Sequence, residues 1–232
     1  MLLSAEMIRG YKLEASDGEV GKVADLYFDD DTWTVRYIVV QTGNWLGDHR
    51  VLITPRRVDR VEQDRKVIEA NLTRVEVKAS PPAESDKPVS ECMEIIFSPR
   101  PFSSPAYESE RCSENADVHL RSTKEVEGYT LTATDGDIGH VAGFIVDDID
   151  WVIRYLVVDT RDLWPGKNVL VSPEWVEEVD WNTSRLRFDV RGAAIKDAPE
   201  YSPGSPVTRE YEVELCHFYN LEGYWDRPCD GD

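Results

Sequence analysis

The 232-residue chain has little that a membrane would retain. Its hydrocarbon runs are short, Ile38-Val39-Val40 being typical, and a bilayer-crossing helix needs about 20 consecutive apolar residues. A signal-peptide pattern is also missing, because Met1-Leu2-Leu3 leads directly into Ser4-Ala5-Glu6. The expectation is a cytoplasmic protein with no direct membrane insertion. Positive charge is scarce: 45 acidic side chains face 26 basic ones, a net charge of -19. Such a polyanion repels phosphate backbones and anionic headgroups. The best basic cluster, Arg56-Arg57 with Arg60, is small and interleaved with acids, so nucleic acid is excluded as an expected partner. Cys92, Cys112, Cys216 and Cys229 show no Cys-x-x-Cys spacing and read as reduced thiols rather than a metal site. The four histidines are scattered. Gly-x-Ser-x-Gly, His-Glu-x-x-His, a phosphate-binding glycine loop and a dinucleotide fingerprint are all missing. The expectation is a protein that is not an enzyme and uses no cofactor and no metal.

What the chain does have is itself, twice. At an offset of 118, Gly10-Tyr11-Lys12-Leu13 falls on Gly128-Tyr129-Thr130-Leu131, and Asp17-Gly18 falls on Asp135-Gly136. Arg36-Tyr37-Ile38-Val39-Val40 falls on Arg154-Tyr155-Leu156-Val157-Val158, and Val51-Leu52-Ile53-Thr54-Pro55 on Val169-Leu170-Val171-Ser172-Pro173. A third of the positions from Gly10 to Pro81 are identical, without a gap. Two copies of this length are two small domains rather than turns of a solenoid.

Each copy reads as β. Short strands at Gly10–Ala15 and Gly21–Phe28 flank an Asp-Gly hairpin turn. The alternation of Trp33, Val35, Tyr37 and Val39 predicts a strand from Trp33 to Thr42 packed mainly on one face. Val51–Ile53, Val58–Glu62 and Lys66–Ala70 complete the set, and Leu72–Lys78 reads as one or two helical turns. In the second copy, Thr208 is a good N-cap, and Tyr211, Leu215 and Phe218 recur at helical spacing. Glu210 and Glu212 suit the positive end of that helix. The boundaries are a first barrel at 1–82, a Pro/Ser/Glu-rich linker at 83–117, a second barrel at 118–200, and an aromatic helix and tail at 201–232.

The ordered set Gly-Tyr-x-Leu, Asp-Gly-x-x-Gly-x-Val, an acidic turn before Trp, Arg-Tyr-(Ile/Leu)-Val-Val and Val-Leu-(Ile/Val)-(Thr/Ser)-Pro resembles the PRC-barrel family. That family includes the soluble domain of the photosynthetic reaction-centre H subunit and the C-terminal domain of the ribosome maturation factor RimM. The resemblance covers roughly residues 2–82 and 120–199. It implies a mainly β protein: two small PRC-type β-barrels in tandem with a short C-terminal helix. It also implies a non-enzymatic protein-binding or assembly module. The alternative it raises is a soluble accessory subunit of a membrane electron-transfer complex, with an acidic surface supporting a proton path or quinone site.

Three groups of residues are candidates for function. The acidic turns Asp29, Asp30, Asp31 and Asp147, Asp148, Asp150 recur in both copies. They suit Ca²⁺ only with help from backbone or water, and turn aspartates commonly bond their own backbone instead. Trp45 and Trp164 occupy loops one register apart and are candidate partner anchors. Tyr211, Leu215, Phe218, Tyr219, Tyr224 and Trp225 form an aromatic tail, which is the strongest candidate for docking a protein partner of unknown identity. The competing readings are self-association, giving a homo-oligomer, and folding back onto a barrel.

Overall fold

The computed structural model describes residues 1–83, 87–88, 116–117, 119–160 and 166–226. Most of the expected linker, Trp164, and Cys92, Cys112 and Cys229 lie outside the described residues.

Strand β1 (Leu2–Ser4) and the single turn α1 (Ala5–Ile8) open the chain. Six strands follow: β2 (Lys12–Ala15), β3 (Gly18–Asp29), β4 (Val35–Thr42), β5 (Arg50–Ile53), β6 (Val58–Glu62) and β7 (Val67–Ala70). Helix α2 (Arg74–Ala79) comes next, started by a capping box in which Thr73 and Glu76 satisfy each other's backbone N–H groups. A two-residue parallel pair joins β8 (Lys87–Pro88) to β9 (Ala116–Asp117). The pattern then begins again with β10 (Leu120–Ser122) and α3 (Thr123–Val126). β11 (Thr130–Ala133), β12 (Gly136–Asp147), β13 (Ile153–Asp159), β14 (Asn168–Val171), β15 (Val176–Asp180) and β16 (Arg185–Phe188) repeat the six strands. Helix α4 (Gly192–Lys196), β17 (Glu200–Tyr201) and helix α5 (Arg209–Tyr219) close the described chain.

The protein is mainly β, with two bent, barrel-like sheets. One runs β5-β4-β3-β2-β7-β6 and the other β14-β13-β12-β11-β16-β15, with β17 added beside β14. Every strand of the second sheet sits at the offset of 118 from its counterpart. In both, the hairpin-linked strands are antiparallel and one parallel pair, β2 with β7 or β11 with β16, turns the sheet back on itself.

Two compact units contain these sheets. The β3 unit comprises Ala5–Val126 and Asp148–Ile153, and the β12 unit comprises Met1–Ser4, Glu127–Asp147 and Arg154–Asp232. The units therefore cut across the chain-order boundaries read from the sequence. Within the β12 unit, β1 pairs antiparallel with β12, Leu2 opposite Asp147 and Ser4 opposite Ile145. Within the β3 unit, β10 pairs antiparallel with β3, Leu120 opposite Asp29 and Ser122 opposite Tyr27. Each repeat's leading strand completes the sheet formed by the other repeat.

Two expectations change. The strand expected from Trp33 begins at Val35, because Trp33 itself is left-handed at φ 54°, as Trp151 is at 58°. β4 is also buried on both faces: Ile38, Val39 and Val40 are all fully buried. On the face expected to pack, Leu120 of β10 and Ala83 join Tyr27, Val39 and Leu52 in one cluster; the unexpected burial is that of Ile38 and Val40 on the other face. Burial of such side chains stabilises by roughly 1.5–3 kcal/mol each.

Glycine sets the closest approach in both sheets. A Cβ at Gly21 would strike the carbonyl of Gln41, and one at Gly139 the carbonyl of Asp159. Gly143 lies on the same strand as Gly139, with open space where its Cβ would be. Gly21→Ala and Gly139→Ala should therefore each cost about 2–3 kcal/mol in denaturant unfolding. Gly143→Ala should be neutral or stabilising by up to about 1 kcal/mol; equal losses at all three positions would contradict this account of the crossing.

Candidate functional site

In the β3 unit, the first acidic turn closes onto β10. Asp29 accepts hydrogen bonds from the backbone N–H groups of Asp31 and Thr32 at 3.1 Å each and pairs with Arg36 at 3.6 Å. It is an Asx-type turn residue supporting the corner before β4. Asp30 turns inward, with its Oδ2 2.8 Å from Arg121 and its Oδ1 3.0 Å from Nδ1 of His119. Asp31 stays in water, 3.3 Å from the same His119 nitrogen. Burial pushes the Asp30 carboxyl above the usual range, with Arg121 and His119 acting against that shift. His119, hydrogen-bonded to Asp30 and close to Asp31, is held above its ordinary value.

Asp30, Asp31 and His119 offer three convergent donor atoms, the kind of set that can hold a divalent cation. Arg121, however, already supplies positive charge there, and the two acids that would ligate a metal also raise the proton affinity of the imidazole that would share it. A metal would have to compete with that proton beside a guanidinium. Chemically the arrangement is an ion-pair cluster.

The second acidic turn is divided. Asp147 belongs to the β12 unit, where it lies 3.6 Å from Arg154 and 3.6 Å from the N-terminal ammonium. Asp150, in the β3 unit, accepts from the backbone N–H of Val152 at 3.1 Å. Asp148 is in that unit as well.

One acid was not singled out from the sequence. Asp25 is 7% exposed and accepts from the hydroxyls of Ser122 at 2.5 Å and Thr123 at 2.8 Å. Its signal was present: a lone carboxylate inside the apolar run Val23-Ala24-Asp25-Leu26-Tyr27-Phe28.

In the β12 unit, the aromatic tail packs on its own sheet. Thr208 caps α5 by accepting from the N–H of Tyr211. Leu215 is buried with Leu2, Ile145, Tyr155, Val157, Leu170 and Tyr201, flanked by Tyr211 and Tyr219. The Tyr211 hydroxyl donates to the Pro199 carbonyl at 3.1 Å, and that of Tyr219 to Leu170 at 3.3 Å. Tyr219 also meets Trp175 edge to face, with centroids 4.3 Å apart. Arg154 lies over the ring of Tyr224 at 3.9 Å, and Arg209 over Trp225 at 4.0 Å.

Of the expected Tyr211–Leu215–Phe218 stripe, Tyr211 and Leu215 pack inward together with Glu212 and Tyr219, whereas Phe218 is 40% exposed. Glu212, expected at a solvated helix end, is 2% exposed. It accepts from the Tyr155 hydroxyl at 3.1 Å and pairs with Arg209 at 3.0 Å. Burial raises the Glu212 carboxyl, opposed by Arg209, while burial and the Glu212 charge raise Tyr155 and push Tyr224 up to about 12. Trp45 is half-buried on its own unit; its indole N–H donates to Val20 at 2.7 Å, and Arg74 covers its ring at 4.3 Å.

Residues 4–77 match the PRC-barrel domain family. The matched PRC-barrel region runs from the end of β1 into α2 and includes Asp25, Asp29, Asp30, Asp31 and Trp45. No curated protein matches the chain significantly. Among the described residues, no helix is long and apolar enough to cross a membrane.

NMR titration should find His119 above the ordinary histidine value of about 6.5, and Asp31→Asn should bring it back down. The charged His119 contributes stability at pH below its unfolded pKa, and that contribution disappears as pH rises through the raised folded value. An unshifted His119 would contradict the cluster. For the tail, Leu215→Ala should cost about 2–5 kcal/mol and Tyr219→Phe about 1 kcal/mol. Thermal unfolding that ignores both would mean that α5 is not docked.

Proposed function

We propose that the chain is a non-enzymatic protein-binding and assembly module made of two PRC-type barrels in tandem. The second barrel is inferred from its strands, which reproduce the order of the matched region at a constant offset. The docking face is the outer strip of α5. Its inner side is fixed by Leu215, Tyr211 and Tyr219, while Glu210, Val213, Glu214, His217 and Phe218 face water. Phe218, 40% exposed on an otherwise anchored helix, is the observation that carries the reading. A helix already held in place loses little further freedom on binding. An exposed aromatic one turn after Glu214, on a strip that also carries Glu210, suits a protein partner that offers an apolar socket ringed by lysine or arginine.

The charge of -19 supports a protein partner in the cytoplasm over nucleic acid or an anionic membrane. On this reading the buried tail residues Leu215, Tyr219, Tyr224 and Trp225 act indirectly, by presenting Phe218.

The test is affinity capture from native lysate with the intact chain and with a folded Phe218→Glu variant, read by mass spectrometry at low and at 0.5 M salt, the latter giving a Debye length of roughly 4 Å. The expected outcome is a defined partner that is bound by the intact chain, released by salt and lost in the variant. Equal capture by both proteins would move the binding to a barrel face. Capture by neither would leave α5 as an intramolecular clasp and overturn the proposal.

A further inference from the structure

The fold contains two strand-accepting edges and two strands that could fill either. β3 accepts Leu120–Ser122 and β12 accepts Leu2–Ser4, with the same register at the offset of 118. Backbone hydrogen bonding does not distinguish Leu2-Leu3-Ser4-Ala5 from Leu120-Arg121-Ser122-Thr123, so side chains must. The two segments share the leucine and the serine. They differ where Leu3 answers to Arg121 and Ala5 to Thr123.

The accepting strands differ at one place, whereas Asp30 recurs as Asp148 and is set apart by the arginine it receives. β3 carries Asp25, where β12 has Gly143. Asp25 receives Ser122 and Thr123 through their hydroxyls, at 2.5 and 2.8 Å, together with the backbone N–H of Lys124 at 3.4 Å. At the end of β3, Arg121 meets Asp30 at 2.8 Å, and both side chains are under 10% exposed. In the leading segment of the first repeat, Leu3, 3% exposed, stands at the position of Arg121, and Ala5, fully buried, at that of Thr123. Had Leu2–Ala5 taken the place on β3, Leu3 would bring no cation to Asp30 and Ala5 no hydroxyl to Asp25. Two carboxylates nearly withdrawn from water would then be short of partners, one of the costliest faults a folded protein can carry.

We propose that Asp25 and Asp30 are selectivity residues, which make β3 accept Leu120–Thr123 and refuse the homologous Leu2–Ala5. The strand exchange between repeats is thereby specified by polar matching on one edge. The other edge has Gly143 in place of Asp25, keeps Asp147 opposite Leu2, and is filled by the strand that remains. The same code acts against pairing between copies, because a β1 strand from a second chain is refused at β3 on the same grounds.

The test uses the full chain and reads strand identity rather than stability. Cross-strand NMR contacts place Ser122 opposite Tyr27 and Ser4 opposite Ile145 in the native pairing; contacts between Ser4 and Tyr27 mark the wrong one. In Asp25→Gly/Asp30→Leu, wrong-pair contacts should rise from undetectable to a population comparable with the native one. Light scattering should show species heavier than wild type as strands pair between copies. A variant that keeps only the native contacts and the wild-type mass would overturn the proposal. A second variant leaves β3 untouched and moves the code: Leu3→Arg/Ala5→Thr should create Ser4–Tyr27 contacts as two strands compete for one edge. Loss of β1 from β12 without its appearance at β3 would count against the proposal just as firmly.

Discussion

The antiparallel pairing of Leu120–Ser122 along β3, and of Leu2–Ser4 along β12, is the constraint on which the remaining structure rests. An open strand edge is a row of unsatisfied donors and acceptors, and a small sheet must cover it or risk aggregation. Here the cover comes from the other repeat's leading segment. Once β10 is in place, Leu120 closes the cluster over Tyr27, Val39 and Leu52, and Asp25 finds its hydroxyls. Once β1 is in place, Leu2 closes the cluster into which Leu215 packs. Neither core is complete from a single repeat, although each copy carries a full set of six strands.

The repeat was legible because identical turn chemistry and identical hydrophobic spacing impose the same strands in the same order. Asp17-Gly18 and Asp135-Gly136 both turn hairpins with glycine at φ 137°, and the helical turns expected at Leu72–Lys78 are there as Arg74–Ala79. What could not be read was which strand pairs with which sheet. Leu2–Ser4 and Leu120–Ser122 are equivalent in pattern, and periodicity carries no information about a choice between equivalent edges. For the same reason the mixed face of β4 is buried at Ile38 and Val40: alternation reports side-chain direction, not what packs against each side.

The candidate sites were legible in part. Recurrence drew attention to the acidic turns, and the equivalent pairs Arg36–Asp29 and Arg154–Asp147 follow the repeat. The cluster at Asp30 does not follow it, since His119 and Arg121 stand where the first copy has Met1 and Leu3. Differences between copies identified the polar chemistry better than similarities did. In the tail, helical spacing put Tyr211 and Leu215 on the packed face, where they are, and Phe218 with them, where it is not. Phe218 falls seven residues after Tyr211, and that drift carries it to the rim, whereas Glu212 shares a row with Leu215 and Tyr219 and is drawn inside with its tyrosine and arginine partners.

The position of β1 also bears on the order in which the chain can fold during its synthesis. Leu2–Ser4 leaves the ribosome before the rest of the first repeat, but the strand it pairs with, β12, is made more than a hundred residues later. At roughly 5–20 residues per second that is a wait on the order of ten seconds, far longer than a hairpin needs to form. For most of that interval the β3 edge is also vacant, because β10 has not yet been made. A nascent first repeat thus holds a free strand, Leu2–Ser4, and a free edge of matching register at Tyr27–Asp29 in the same stretch of chain. A carboxylate such as Asp25 that makes their union unfavourable keeps the early half of the chain from closing on itself before the later half arrives.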